Sequence, residues 1–244
     1  MATQSRLPAF LLTRPMAQSQ RFAAQLRHRF GPDLLITISP LIAPHYLAPA
    51  FPVGPFTALI FTSETGVAAF AHHPNRPNCL PIRAYCVGDQ TAKAAQSAGL
   101  EPVSADGDAA TLIALIQATH TGPLLHLCGT QTRGDVAQTL TDAGHPTTAL
   151  ELYDQREHPL TAAAIDLLRG ERPLLVPLFS PRSATLFCQH LAIVAPTAPL
   201  TVIALSAAVA TALPTTMDHH TAKKPTADAM IVALANLCDP PQVP

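Results

Sequence analysis

The sequence predicts an α/β protein with parallel sheets, folded as two similar halves. Three observations carry this prediction. Short runs of successive apolar residues, the mark of strands buried on both faces, recur along the chain. Each run ends at a small polar cluster and gives way to a segment with helical spacing, the alternation that produces α/β units with right-handed crossovers. The pattern also repeats at a nearly constant offset. Thr13-Arg14 precedes Gly129-Thr130 by 116 positions, Ser63 precedes Ser180 by 117 and Gly88 precedes Ser206 by 118. The clearest pair is Thr57–Gly66 (TALIFTSETG) with Pro173–Ala184 (PLLVPLFSPRSA). An offset this long excludes a solenoid and points to a duplication, with a ligand cleft expected between the halves.

Taken in order, Pro8–Thr13 reads as a strand and Ala17–Phe30 as a helix with Phe22, Leu26 and Phe30 on one stripe, stopped at Gly31-Pro32. Leu34–Ser39 is a second strand, and Pro40–Pro55 a proline-rich connection. Thr57–Thr62 is a strand followed by the helix Thr65–His73. Ile82–Val87 is a strand closed by Gly88-Asp89, and Gln90–Ala98 a helix stopped by Gly99. Leu100–Ala105 is a short strand, and Asp108–Thr119 a helix with Asp108 as its N-cap. Pro123–Cys128 is a strand, Gly129–Arg133 a polar turn, Gly134–Ala143 a helix, and Thr147–Tyr153 the next strand. Helices are then predicted over Pro159–Arg169, Arg182–Ile193, Ala207–Leu213 and Thr226–Leu237. Strands are predicted over Pro173–Phe179 and Leu200–Leu205, and Asp239–Pro244 is a proline-rich tail.

The bulk composition narrows the function. With 244 residues, 48% hydrophobic and 13% charged, the chain can build well-buried cores. A net charge of −1 with no Lys/Arg cluster argues against nucleic acid. No apolar run reaches the roughly 18 residues of a membrane span, and the start lacks the apolar stretch of a signal peptide. Five widely spaced cysteines (Cys79, Cys86, Cys128, Cys188, Cys238), none in a C-x-x-C pair, fit reduced thiols. The expectation is a soluble, cytoplasmic protein.

The usual catalytic constellations are missing. There is no G-x-G-x-x-G after a strand, no P-loop, no H-E-x-x-H and no G-x-S-x-G. The adjacent pairs His72-His73 and His219-His220 have no carboxylate or cysteine at ligand spacing, so they read as surface or loop histidines and no metal is expected. What remains is a set of hydroxyl- and amide-rich strand ends: Thr13-Arg14-Pro15, Thr62–Gly66, Val87–Thr91, Gly129–Arg133 and Ser180–Ser183. Any one of them is accounted for by helix capping. All of them together, at one edge of each half, fit an anionic ligand held by helix N-termini, with Arg14, Arg133 and Arg182 adding charge.

The ordered set TRP…TSETGVAAF…YCVGDQTAKAAQSAGL…LLHLCGTQTRGDVAQTLTDAGH…LELYDQ…FSPRSATLF…VIALSAAVATAL resembles uroporphyrinogen-III synthase from about Phe10 to Leu237. No one motif is specific; the order and gaps are. The resemblance implies two flavodoxin-like lobes joined by two connecting segments, with the ligand cleft between them. One lobe would be residues 1–38 plus 155–244 and the other 39–154, with crossings near Ile38–Pro44 and Leu150–His158. It further implies a monomeric lyase without cofactor or metal, closing on its substrate by lobe motion. That substrate is hydroxymethylbilane, a polyanionic linear tetrapyrrole, which the family cyclises with loss of water and inversion of the terminal pyrrole. Tyr153 matches the family's key tyrosine, whose phenol would hydrogen-bond the departing hydroxyl or act as its acid. Thr91, Ser63 and Ser180 match substrate-side positions. Thr13, Arg14, Thr62, Gly88, Gly129, Thr130 and Ser206 complete the expected binding set. Two departures stand out: Ser206-Ala207-Ala208-Val209 replaces a glycine-proline-threonine turn, and Cys128 stands where an arginine or similar residue often precedes the glycine. The alternatives are a non-catalytic binding module on the same scaffold and a response-regulator-like or flavodoxin-like module. The latter is disfavoured by the absence of an acidic pair after the first strand and of a flavin-loop pattern.

Overall fold

The computed structural model describes residues 7–78, 80–131 and 134–238. Cys79, Arg133 and the Asp239–Pro244 tail lie outside them. The chain begins β1 (Ala9–Leu12), α1 (Met16–Phe30), β2 (Ile36–Ile38), β3 (Ile42–Tyr46), β4 (Ala58–Phe61) and α2 (Glu64–Ala71). It continues through β5 (Arg83–Cys86), α3 (Asp89–Ser97), β6 (Glu101–Ser104), α4 (Ala109–Thr119), β7 (Leu124–Gly129), α5 (Val136–Asp142) and β8 (Thr147–Glu157). It ends with α6 (Ala162–Leu168), β9 (Leu174–Leu178), α7 (Pro181–Val194), β10 (Leu200–Ala204), α8 (Ala207–Ala210), β11 (His219–Thr221) and α9 (Ala227–Cys238).

Two compact units result. The first comprises Met1–Ala43 and Glu157–Pro244; the second is Pro44–Arg156. In the first unit five parallel strands run in the order β11-β10-β9-β1-β2. Numbered along the chain within that unit, this is 2-1-3-4-5 read from the β2 edge, the doubly wound order of flavodoxin-like sheets. The other sheet is β3-β8-β7-β4-β5-β6. Apart from β3, it repeats the first order position for position, with β7 standing for β1 and β4 for β9. The constant sequence offset is therefore a duplicated sheet, entered at a different strand in the second copy.

Burial explains the runs. The strands AFLL, ALIF, LLHLCG and LLVPL are buried along their whole length, as a sheet covered on both faces requires. Each sheet separates two apolar layers. In the first unit Leu11, Val176 and Phe187 face one way and Phe10, Phe22 and Met230 the other. In the second unit Leu59, Phe61 and Phe70 oppose Ile60, Tyr85 and Leu112. Full burial of such a side chain stabilises by about 1.5–3 kcal/mol, so the sheet centres dominate folding. Pro177 shapes one of them. Leu175 and Pro177 turn their backbone toward β1, and the β1–β9 ladder ends at Phe10 and Leu175 because proline has no N–H to extend it.

Four elements differ from the sequence reading. Ile42–Tyr46 is a strand inside the expected proline-rich connection; it lies at a sheet edge, where Pro44 is tolerated. His219–Thr221 is a strand rather than a loop, a short polar edge recruited by backbone pairing to β10. Strand β8 runs on to Glu157. The expected helix Ala207–Leu213 is a single turn, after which Ala212 and Leu213 bond carbonyls three residues back, ahead of Pro214.

Candidate functional site

In the second unit the candidate residues gather at the carboxyl ends of the central strands, where an open parallel sheet places its ligands. Strand β4 runs into Thr62-Ser63, and Ser63 caps α2, its Oγ accepting the Gly66 N–H at 3.0 Å. The same Oγ lies 2.9 Å from the Tyr153 hydroxyl. A bulge brings the two together. Along β7 and β8 Cys128 pairs with Glu151, but Gly129 pairs with Tyr153, so β8 carries one extra residue. Leu152 and Tyr153, adjacent in sequence, thereby pack into the same apolar cluster, which strict alternation does not allow. Opposite the ring, a Cβ on Gly129 would stand 2.7 Å from Tyr153 Cζ. Gly129 therefore seats the ring, a role the sequence reading did not give it.

Tyr153 is 6% exposed. Burial pushes its phenol above the ordinary value, the Ser63 hydrogen bond pulls it back, and neighbouring Cys128 adds to the rise. At neutral pH the phenol keeps its proton and is a hydrogen-bond donor. Either hydroxyl can donate in the Ser63–Tyr153 pair. When Ser63 donates, a chain runs from the Gly66 amide through Ser63 to Tyr153, and the phenol proton is left for a ligand.

Beside this pair lies a cavity of about 380 Å³, lined by Thr62, Ser63, His126, Gln131, Tyr153 and Gln155 with apolar Val87, Ala109 and Val136. No Lys, Arg, Asp or Glu lines it among the described residues. His126, missed by the sequence reading, is 3% exposed, and its Nε2 is buried with no hydrogen-bond partner. Burial drives its pKa down to about 4 although Asp135 pulls the other way, so the ring is neutral. A histidine inside the apolar run LLHLC was the available signal.

The remaining candidates of this unit are less directly placed. Gly88 starts α3 with extended backbone and open space where a side chain would be, so no steric demand fixes the glycine. Thr91 is buried in the first turn of α3 and does not line the cavity. Thr130 is tied to β8, its N–H donating to Tyr153 O and its hydroxyl to Asp154, both at 2.9 Å. The Cys128 thiol is pushed up to about 11 by burial, with Glu151 and Asp135 adding to it, and is inert at neutral pH.

In the first unit Thr13, Arg14, Ser180 and Ser206 occupy the matching strand ends. Thr13 is fully buried, and its Oγ1 has no partner. The Arg14 guanidinium sits 4.0 Å above the Phe179 ring, which joins the ends of β1 and β9. Ser180 caps α7, accepting the Ser183 N–H at 3.2 Å and donating to Ser183 Oγ at 2.9 Å. Ser206 stands at the start of α8 without capping it. Arg182 approaches Glu157 at 3.8 Å in an exposed pair.

The histidine pairs part company with the surface reading at His73, which is buried and bonded to Pro49 O at 3.1 Å. Among the described residues no three His, Cys, Asp or Glu side chains stand together as a metal site, and no helix is long and apolar enough to cross a membrane.

The family model of uroporphyrinogen-III synthase HemD matches residues 35–232. No curated protein matches the chain. The crystal structure of uroporphyrinogen-III synthetase from Helicobacter pylori 26695 aligns with a TM-score of 0.61 at 17% identity, covering 95% of this chain and all of the other. A mutant uroporphyrinogen III synthase from the extremely thermophilic bacterium Thermus thermophilus aligns at 17% identity over 93% of this chain and 98% of its own, with a TM-score of 0.46. The Helicobacter likeness concerns the two-lobed α/β fold; the family match spans most of the sequence, including every candidate residue from Thr62 to Ser206. On that match the chain belongs to the uroporphyrinogen-III synthase family.

Proposed function

We propose that the protein is a uroporphyrinogen-III synthase, a lyase that closes hydroxymethylbilane to the isomer III ring with loss of water. The observation that carries this is the Tyr153 phenol, protonated, held by Ser63 and seated on Gly129 at the wall of a polar cavity. The bilane loses its hydroxyl readily and cyclises unaided to the wrong isomer. The protein's task is then to fold the chain so that the substituted carbon of the terminal ring attacks first. An acid–base pair is not needed for that. A buried donor aimed at the departing hydroxyl is, and a phenol whose pKa lies above the ordinary value suits hydrogen-bond donation better than full proton transfer.

The cavity volume is at the low end of ligand pockets, which span about 300–1,000 Å³, and holds only part of a tetrapyrrole. Thr62 and Ser63 contact that part. The acetate and propionate groups go instead to helix starts such as those at Gly88 and Thr91 in the second unit; the first unit offers helix starts of the same kind at Thr13, Arg14, Ser180 and Ser206. Free N–H groups and the macrodipole favour anions there. Thr130 and Gly129 support the site by fixing Tyr153. The reduced thiols of Cys86, Cys128 and Cys188 accord with a cytoplasmic setting.

The test is product identity. Protein added to freshly generated hydroxymethylbilane should give isomer III in excess over the spontaneous isomer I. A binding module on this scaffold would leave isomer I alone, and that result overturns the proposal.

A further inference from the structure

We infer that Gln155 is a further catalytic residue, whose side-chain carbonyl accepts a hydrogen bond from the N–H of the pyrrole that loses its hydroxyl beside Tyr153. This rests on the proposed function for the identity of the ring. Strand β8 supplies the geometry. Side chains two positions apart on a strand share a face, and past the bulge opposite Gly129 that face carries Tyr153 and Gln155. Both line the second unit's cavity. Gln155 is half-buried, so its amide is open to a ligand there. Asp154, between them, turns to the other face and pins the strand. It accepts from the Thr130 hydroxyl at 2.9 Å and meets Arg156 Nε at 3.6 Å, while the Thr130 N–H donates to Tyr153 O at 2.9 Å. Tyr153 and Gln155 are thus two fixed prongs on one edge, their Cα atoms about 6.8 Å apart.

The two prongs offer different chemistry. The phenol donates to the departing hydroxyl, and the carboxamide adds an acceptor. The hydroxymethyl group hangs from the carbon beside the ring nitrogen, so its oxygen and the ring N–H are neighbours that a donor and an acceptor on one strand edge meet together. As the C–O bond breaks, its electron pair leaves with oxygen and the nitrogen lone pair fills in behind it, which puts positive charge on the ring. The N–H is kept, and its bond to Gln155 strengthens as that charge develops. The departing hydroxide takes up one proton to become water, and one proton is released when the closing macrocycle regains its pyrroles, so the reaction balances. A carboxylate is a poorer partner for Gln155. The charged groups described around this strand end are Asp135, Glu151 and Asp154 against Arg156, and Asp135 and Glu151 both help to push up the neighbouring Cys128 thiol. Such a field opposes an anion and favours a cationic ring.

The experiment compares wild type, Gln155→Met and Gln155→Glu with freshly generated hydroxymethylbilane, reading kcat and KM for isomer III, alongside circular dichroism. Gln155→Met keeps the length of the side chain and removes the acceptor, so kcat is expected to fall about tenfold with KM nearly unchanged, the bond being strongest in the transition state. Gln155→Glu supplies a stronger acceptor and restores kcat to the wild-type value or above. A residue that held a substrate carboxylate would behave the other way, with KM raised in Gln155→Met and raised further in Gln155→Glu by like-charge repulsion; that pattern overturns the inference. A wild-type kcat in folded Gln155→Met overturns it equally, as does a folded Gln155→Glu that fails to recover. Gln155→Glu decides the matter alone if Gln155→Met does not fold: kcat at or above wild type supports the acceptor role, and a lowered kcat or a raised KM refutes it. Absence of isomer III with wild type is a different failure, that of the proposed reaction.

Discussion

Gly129→Ala should disable Tyr153 without touching it. The added Cβ would lie 2.7 Å from Cζ, 2.8 Å from Cε2 and 3.1 Å from the hydroxyl oxygen of Tyr153. Ordinary contact begins near 3.4 Å, so the ring has to retreat by roughly 0.7 Å. The Ser63–Tyr153 bond is 2.9 Å long, and that retreat takes it to about the 3.5 Å limit of a useful hydrogen bond. The lost bond costs about 1 kcal/mol and the overpacking about 1–3 kcal/mol. Against a usual total of roughly 5–15 kcal/mol the variant still folds. Turnover suffers more, since a displacement near 1 Å lowers rates by about 10²-fold. The assay measures the rate of isomer III formation from freshly generated hydroxymethylbilane, with the isomers separated chromatographically and folding followed by thermal denaturation. A folded Gly129→Ala protein with wild-type turnover would refute the claim that Gly129 exists to seat Tyr153.

Ser63→Ala removes the cap of α2 and the partner of Tyr153 at once, so a stability loss of about 1 kcal/mol, read as a Tm lower by about 2–4 °C, should accompany a fall in kcat. Ser63→Thr keeps the hydroxyl and should restore both; unchanged turnover in Ser63→Ala would contradict the relay through Ser63. The neutral burial of His126 makes stability depend on pH. Its folded pKa is about 4 against an ordinary 6.5, so above pH 6.5 both states are neutral. As pH falls below that, the unfolded chain takes up the proton first and stability drops, by about 3 kcal/mol near pH 4, where the slope ends. His126→Gln should flatten much of this slope in urea unfolding. His120, also lowered, first by burial and then by Arg83 and His145, leaves a remainder. An identical slope in the variant would show that His126 is not the group responsible.

The fold was legible where burial is continuous and the site where it is not. ALIF and LLVPL could be nothing but covered strands, and the 116–118 offsets mapped onto matching strands of two sheets. Ser63, Ser180 and Asp108 were readable as helix caps, and each caps its helix through its side chain. Backbone events left no such trace. Nothing in LELYDQ announces the bulge that lines Tyr153 up with Gly129, because a bulge is a mismatch between two strands and cannot be read in one. The partner of Gly129 is likewise 24 residues away, so its missing side chain looked like turn chemistry. His219–Thr221 has no apolar run and becomes a strand only because β10 offers an edge. His126 went unnoticed in LLHLC because its neighbours make the run read as an ordinary apolar strand.

Tyr153→Phe carries the account most directly. The change deletes one oxygen, leaves the ring on Gly129 and leaves Ser63 capping α2, so the folded protein should melt near the wild-type temperature. With hydroxymethylbilane its kcat should fall about 10²-fold while KM holds, the loss expected for a donor that acts only as the hydroxyl departs. A Tyr153→Phe protein that forms isomer III at the wild-type rate would contradict the account.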